Sequence, residues 1–153
     1  ERTLYLYNVH TQEALTTVYW VQGDYIAESL REVYHLLRDH RSGEIGTIDF
    51  SLLDTLHRVA AKMNNTTEPF QIISGFRSTT TNQELHAVDE QGVAAKSLHT
   101  RGMAVDLYFE YTPLLQLHAA AQGVSGGGVG LYPDRFIHLD TGPERHWVSK
   151  GKG

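Results

Sequence analysis

The sequence predicts a single α+β domain in which a small antiparallel sheet is flanked by helices. Segments with strand-like alternation and segments with helical spacing follow one another without the regular β–α alternation of a parallel sheet. The chain of 153 residues shows no internal repeat and no linker, and its apolar content of 41% is ordinary for a globular protein. We therefore expect one domain over residues 1–148 and a flexible tail over 149–153.

Two strands and then two helices are predicted in the first half of the chain. Apolar and aromatic residues alternate over 3–9, and the β-branched and aromatic segment 13–22 is its expected hairpin partner. The first helix is expected to end near Gly43. The second helix follows the N-cap Asp49 and closes at 64–67. The apolar stripe of the first helix is Ile26, Leu30, Val33 and Leu37, and that of the second is Leu52, Leu53, Leu56, Val59, Ala60 and Met63.

Shorter elements are predicted in the second half. In order, they are a strand over 70–74, a helix over 80–87, a loop over 89–96, a strand over 103–109, a helix from Thr112 to Gly123, a turn over 125–128 and a strand over 136–140. Thr112 as N-cap and Pro113 as first residue set the predicted start of the last helix.

Two histidines and one aspartate form a predicted metal site. His99 precedes the strand 103–109, with Gly102 allowing a tight backbone path, and Asp106 lies on that strand opposite its core-facing residues. His138 lies on the strand 136–140. Neutral imidazoles and a carboxylate suit zinc, and three protein ligands leave one tetrahedral position for water, as in catalytic zinc sites. The alternative is a surface histidine, a strand aspartate and a hydrogen-bonded core histidine.

Composition and charge exclude several classes of protein. A net charge of −5 argues against nucleic-acid binding, which normally requires a basic face. No apolar run approaches the roughly 18 residues of a membrane-spanning helix, so none is predicted. The chain has no cysteine, which rules out disulfides and thiolate metal ligands.

The motif Ser-x-His-x-x-Gly-x-Ala-x-Asp at 97–106, followed by a late histidine on a strand, resembles the D-alanyl-D-alanine carboxypeptidase-like zinc peptidases. That superfamily also contains the zinc domain of hedgehog signalling proteins. Further blocks are similar to the MepK-type murein endopeptidases, namely those at 73–78, 127–133, 138–143 and 145–147. The resemblance extends from the first strand to Trp147 and implies the hedgehog/DD-peptidase-like fold.

The resemblance implies a zinc enzyme that hydrolyses peptide cross-links in bacterial peptidoglycan with a metal-activated water. His99, Asp106 and His138 would hold the Zn²⁺, and the peptide stems of peptidoglycan would be the substrate. It also implies export to the periplasm, with the signal sequence absent from this chain. An amidase-like or carboxypeptidase-like trimming of the same polymer would fit the same open site.

The resemblance also assigns roles beside the metal. Arg77 would face the substrate, where its guanidinium can hold a carbonyl or carboxylate oxygen as charge develops there. The alternative for Arg77 is a surface arginine. Ser97 either holds polar groups of the substrate or ties down its own loop.

The general base is where the sequence departs from its relatives. Many members carry a glutamate three residues before the last ligand, or a histidine two before it, and those positions are Arg135 and Phe136 here. Asp140 shares a strand face with His138 and is one candidate base; its alternative role is to hold a ligand histidine by a hydrogen bond. His146 is the other candidate. The missing base leaves open a non-catalytic, zinc-stabilised binding domain of the hedgehog type.

Overall fold

The computed structural model describes residues 1–64 and 67–149, and within them the predicted α+β class is confirmed. These residues form eight strands in one sheet, four α-helices and a short 3₁₀ helix. The predicted helix end at 64–67 falls partly, and the predicted tail almost wholly, outside the described residues. None of the described helices is long and apolar enough to cross a membrane.

The elements follow the predicted order, with three additional short strands. They are β1 (Arg2–Asn8), β2 (Glu13–Val21), β3 (Asp24–Tyr25), α1 (Ala27–Leu36), α2 (Phe50–Lys62), β4 (Phe70–Ser74), α3 (Thr79–Val88), the 3₁₀ helix (Leu98–Arg101), β5 (Ala104–Tyr108), α4 (Leu114–Val124), β6 (Gly128–Tyr132), β7 (Phe136–Asp140) and β8 (Arg145–Val148). The predictions of β4 and β7 match to the residue. β3, β6 and β8 are the strands without a predicted counterpart.

The sheet is mixed rather than antiparallel throughout. Its strand order is β3-β2-β1-β4-β5-β7-β6-β8, and the pairs β1–β4 and β6–β8 are parallel. The chain leaves β1 through the β2–β3 hairpin and two helices before it returns as β4, a crossover long enough for a parallel pair. Local strand patterns carry no information about such pairings, which explains the difference from the prediction.

The hydrophobic core lies between one face of the sheet and the helices. In the predicted stripe of α2, Leu52, Leu53, Leu56 and Val59 are fully inaccessible, and Ala60 and Met63 are partly buried against the same core. Val105 and Leu107 of β5 join the same core, as expected from strand alternation. The opposite face of β5 is therefore free to carry polar groups, and this is where the candidate site lies.

Of the two predicted N-cap residues, one caps its helix in the structure and one does not. Asp49 caps α2 as expected, because its carboxylate accepts the N–H of Ser51 at 3.0 Å. Thr112 does not cap α4: its hydroxyl donates to Glu68 at 2.7 Å, and the helix begins one residue later than predicted.

The end of α1 also differs from the prediction. The helix stops at Leu36, well before Gly43. The carboxylate of Asp39 accepts the N–H groups of Arg41 and Ser42 at 2.8 and 3.1 Å, which turns the chain out of the helical path.

Candidate metal centre

The three predicted ligands meet on one face of the sheet. Asp106 of β5 and His138 of β7 are direct cross-strand partners, so their side chains project from the same face. His99 reaches them from the 3₁₀ helix that precedes β5. Asp106 lies between the two imidazoles, with Oδ1 2.9 Å from His138 Nδ1 and Oδ2 3.3 Å from His99 Nε2. One ligand atom from each residue lies within 4.8 Å of the others.

The tight turn at Gly102 places His99. Gly102 has φ +68°, and a side chain there would collide with the backbone carbonyl of Thr47. Ser97 caps the 3₁₀ helix by accepting the N–H of His99 at 3.1 Å. Both features fold the Ser-x-His-x-x-Gly segment back on itself, so that the imidazole lies over β5.

The outer partners of the two imidazoles decide which ring nitrogens face the centre. His99 Nδ1 is 2.8 Å from the carbonyl of Gly75, which can only accept, so Nδ1 carries the proton. His138 Nε2 is 2.8 Å from the carboxylate of Asp140, which likewise accepts. In the neutral rings, His99 Nε2 and His138 Nδ1 are then lone-pair nitrogens.

Two lone pairs and a carboxylate that converge on one point require a cation between them. Two neutral imidazoles held in place by a carbonyl and a carboxylate are the usual arrangement of metal-ligating histidines. The donor set therefore fits a divalent metal ion with nitrogen and oxygen ligands, and zinc prefers such a set.

Without a metal, protons must supply the positive charge. Burial opposes a charged His138, but hydrogen bonds to Asp106 and Asp140 outweigh it and raise the pKa of His138 to about 9. Burial acts to raise the pKa of Asp106, but the charge of His99 and the hydrogen bond from His138 hold that pKa well below its usual range. The buried Asp106 carboxylate therefore needs a positive charge beside it, which the imidazole protons supply when no metal ion is bound.

The centre forms the floor of an open cleft with a volume of about 980 Å³. His99 and Asp106 are buried, whereas His138 is partly exposed to the cleft. Residues from α3, from the loop that follows it and from β7 and β8 surround the floor. The lining includes Arg77, Asp89, Val93, Lys96, Ser97, Tyr132, Arg135, Phe136, Arg145 and Trp147.

Asp140 lies beside the centre, and its contacts favour a holding role over that of a base. Its oxygens accept hydrogen bonds from the N–H groups of Gly128 and Gly142, from both terminal nitrogens of Arg145 and from His138 Nε2, at 2.8 to 3.1 Å. The side chain is buried. Burial acts to raise the pKa of Asp140, but the hydrogen bonds from His138 and Arg145 keep it well below its usual range. A carboxylate so strongly held in the anionic form is a poor proton acceptor.

Arg77 lies within the cleft rather than on the open surface. Its backbone N–H donates to the carbonyl of His99 at 3.1 Å, which fixes the arginine beside a ligand. Its guanidinium contacts Asn82 at 3.0 Å and Ser74 at 3.3 Å. Burial lowers the pKa of Arg77, yet a guanidinium remains charged at any physiological pH. The side chain therefore presents a fixed positive charge to the cleft.

Ser97 also lines the cleft, but its contacts favour the loop-holding alternative. Its hydroxyl accepts the N–H of His99, and its carbonyl accepts the hydroxyl of Thr100 at 2.6 Å.

His146 faces away from the cleft, which weighs against a role as the base. Trp147, the next residue of β8, packs against His138 with ring centroids 5.3 Å apart, so alternation turns His146 to the opposite face of the sheet. The charge of His146 acts on His118 of α4. β8 is not a predicted strand, and without its register the side-chain directions of 145–148 could not be assigned.

Two residues that sequence reasoning assigned no role, Arg145 and Trp147, support the centre. Arg145 holds Asp140, and Trp147 packs on His138. Gly130 makes this packing possible, because a side chain there would occupy the space of the Trp147 indole. Both residues belong to a block that carries the family resemblance, and that was the available signal.

The fold and the donor set define a class: an α+β protein with a His–Asp–His cluster that could hold a metal ion at the floor of an open cleft. Residues 1–147 match the family model described as Peptidoglycan L,D-endopeptidase MepK. The chain belongs to this family of metallopeptidases.

Individual relatives agree with the family match. The Escherichia coli protein described as Peptidoglycan L,D-endopeptidase MepK is 44% identical over 147 residues, which cover 95% of this chain and 80% of that protein. A Shigella flexneri protein of the same description has the same identity and coverage. The Haemophilus influenzae protein described as Probable peptidoglycan L,D-endopeptidase MepK is 31% identical over 95% of this chain and 78% of its own length.

Proposed function

We propose that this protein is a zinc-dependent murein endopeptidase that hydrolyses peptide cross-links in peptidoglycan. The observation that carries the proposal is the convergence of His99 Nε2 and His138 Nδ1 on the carboxylate of Asp106 at the floor of a cleft. The family match supports the class of substrate, because the relatives are described as peptidoglycan endopeptidases. Residues 1–148 would form the catalytic domain.

His99, Asp106 and His138 would hold the zinc ion. When bound, zinc lowers the pKa of a water ligand toward about 7 and polarises a carbonyl. The protein fixes the ring orientations through Gly75 and Asp140, so that the donor atoms are in place before the ion arrives.

Arg77 would bind the substrate oxygen on which negative charge develops. Its link to the His99 carbonyl places it beside the centre, and its buried Nε has no hydrogen-bond partner among the described residues. The side chain also lines the cleft, where the charge of its guanidinium can act on an oxygen of the substrate.

The names of the relatives favour an L,D bond as the one that is cut. Peptide stems of peptidoglycan would enter the cleft from solvent. We further propose that the protein acts in the periplasm, because that compartment contains this polymer.

A zinc-stabilised binding domain without hydrolysis is the second candidate. The observation that favours it is that Asp140 is fully engaged by donors and His146 faces away, so neither proposed base is free. The enzyme and the binding domain should contain the same amount of zinc, but only the enzyme should cleave murein.

Digestion of purified murein and of defined muropeptides separates the candidates. The zinc-loaded protein should release un-cross-linked stems, and mass spectrometry of the products should identify an L,D bond as the one broken. Removal of the metal with a chelator should abolish the reaction, and zinc should restore it. Zinc-loaded protein that binds murein but releases no product would overturn the enzymatic proposal.

A further inference from the structure

The guanidinium of Arg77 is held by a side chain outside the metal centre. Its Nη1 donates to Asn82 Oδ1 at 3.0 Å, and its Nη2 donates to Ser74 Oγ at 3.3 Å. The contact with Asn82 is the shorter, so it is the main constraint on the position of the charge. Asn82 lies on α3 and is 1% exposed.

Asn82 also holds part of the cleft. Its Nδ2 donates to the carbonyls of Ala94 and Ala95 at 3.0 and 3.2 Å. An amide oxygen only accepts and an amide nitrogen only donates, so these partners permit a single orientation of the side chain. A flipped Asn82 amide would place its NH₂ group beside the guanidinium of Arg77, so that two donors meet. It would also place its oxygen beside the carbonyls of Ala94 and Ala95.

The segment that Asn82 holds is one wall of the cleft, which we name the wall segment (residues 89–97). Its members that line the cleft are Asp89, Gln91, Gly92, Val93, Ala94, Lys96 and Ser97. A second side chain of α3 anchors it as well, because His86 Nδ1 lies 2.6 Å from the carbonyl of Val93. Within the described part of the chain His86 has no hydrogen bond to Arg77, whereas Asn82 contacts both Arg77 and the wall segment.

We propose that Asn82 is a positioning residue that couples Arg77 to the wall segment, an inference that rests on the proposed peptidase function. A peptide bound against the wall segment contacts a surface fixed by the same amide that fixes the guanidinium. Binding of the substrate and placement of the positive charge on its carbonyl oxygen are thereby linked through one buried side chain.

Two substitutions of Asn82 separate its two contacts. Asn82→Asp keeps an acceptor for Arg77 but replaces the donors to Ala94 and Ala95 with an oxygen. We expect KM to rise about ten-fold because the wall is released. The new carboxylate keeps the guanidinium in place but partly offsets its charge, so kcat should fall, though less than in Asn82→Ala. Asn82→Ala removes both contacts and should also lower kcat, by about ten-fold or more.

His86→Ala and Gln83→Ala are the matched comparisons. His86→Ala weakens the wall segment alone and should raise KM without lowering kcat. Gln83 is an exposed amide one residue along the same helix, and its loss should change neither constant. Zinc stoichiometry should be that of wild type in all four variants, since none of them removes a ligand.

Tryptic cleavage after the exposed Lys96 reports on the wall segment without any need for activity. Asn82→Asp, Asn82→Ala and His86→Ala should each be cut about ten-fold faster there than wild type, because a lost anchor raises local opening. Equal cutting in all proteins overturns the anchoring. If wild type digests murein and Asn82→Asp loses as much kcat as Asn82→Ala, the coupling is overturned. Failure of wild type to digest murein counts against the proposed function instead, and the tryptic rates still decide the anchoring.

Discussion

Two carboxylates in different parts of the molecule, Asp106 buried and Asp54 partly buried, both have a lowered pKa but differ in use. Asp106 lies between two imidazoles at the floor of the cleft. Asp54 of α2 lies under β1–β3 and accepts hydrogen bonds from Arg2 at 2.9 Å and from the hydroxyls of Tyr19 and Tyr25 at 2.7 Å. In both cases burial acts to raise the carboxyl pKa, and the partners outweigh it and lower that pKa.

The two clusters differ in whether the hydrogen-bond partners of the carboxylate can lose their protons. The guanidinium of Arg2 and the phenols of Tyr19 and Tyr25 keep theirs at any physiological pH, so the Asp54 cluster is complete without a further group. Burial and the hydrogen bond to Asp54 even raise the pKa of Tyr19 above its usual range. An imidazole can give up its second proton to a competing metal ion, so the Asp106 cluster can exchange protons for a metal although the pKa of His138 is raised to about 9.

The largest expected effect is loss of the metal from the Asp106 cluster alone. His138→Ala removes one of three ligands and should abolish stoichiometric zinc binding. Activity on murein should fall by at least about 10³-fold, as several kcal/mol of charge stabilisation are lost. Metal analysis after dialysis checks this, and Tyr25→Phe in the Asp54 cluster should bind one zinc per chain. Full zinc stoichiometry in His138→Ala would remove that residue from the ligand set.

The next largest effect is expected from the loss of Arg77, whose positive charge lies beside the centre. Arg77→Ala should lower kcat by about 10²–10³-fold with zinc retained, because a donor to the developing negative charge is lost. Arg77→Lys should restore part of the activity, since lysine keeps the charge but not the planar fork. Arg31→Ala removes an exposed arginine of α1 and should behave as wild type. Normal turnover in Arg77→Ala would make Arg77 a structural residue only.

A smaller effect is expected at the partner of His138. Asp140→Asn should cost about 10–100-fold in zinc affinity or activity, because the imidazole loses the carboxylate that orients it. Zinc titration and murein digestion measure the two quantities. Asp134→Asn, at an exposed turn position, is the matched control. If turnover falls far more than this while zinc affinity is unchanged, Asp140 is the base and not a positioning residue.

The smallest effect on the site is expected from the Asp54 cluster. Asp54→Asn should lower the free energy of unfolding by about 1–3 kcal/mol while zinc binding and kcat stay unchanged. Denaturation with urea measures the loss, and zinc titration confirms that the centre is intact. A change in zinc affinity would show that the two clusters are coupled.

The pH dependence of stability tests the direction of the pKa shift of Asp54. Its folded pKa lies below the unfolded value of about 3.9, so its contribution is fully present above that value and disappears as pH falls through the folded pKa. Asp54→Asn should therefore lose less stability than wild type on acidification below about pH 4. Parallel losses in the two proteins would contradict the assignment.

Local patterns predicted much of the fold because they reflect short-range physics. The limits of β4 and β7, the buried stripe of α2 and the cap at Asp49 all follow from side-chain periodicity and hydrogen bonds within a few residues. Parallel pairing of β8 with β6 depends on groups far apart in the chain, and local periodicity says nothing about it. The face of the sheet on which His146 lies depends on that pairing, so the sequence alone could not assign it.

The features of the candidate site also fall into two groups, those that the sequence predicts and those that only the structure shows. The sequence by itself determined which residues could bind a metal, because residue chemistry and strand alternation place Asp106 and His138 on defined faces. Only the tertiary structure decided which ring nitrogens face the centre, that Asp140 is occupied by donors from Gly128, Gly142 and Arg145, and that Asn82 contacts both Arg77 and the wall segment. Those features are hydrogen bonds between distant segments, and their geometry exists only once the segments have packed together.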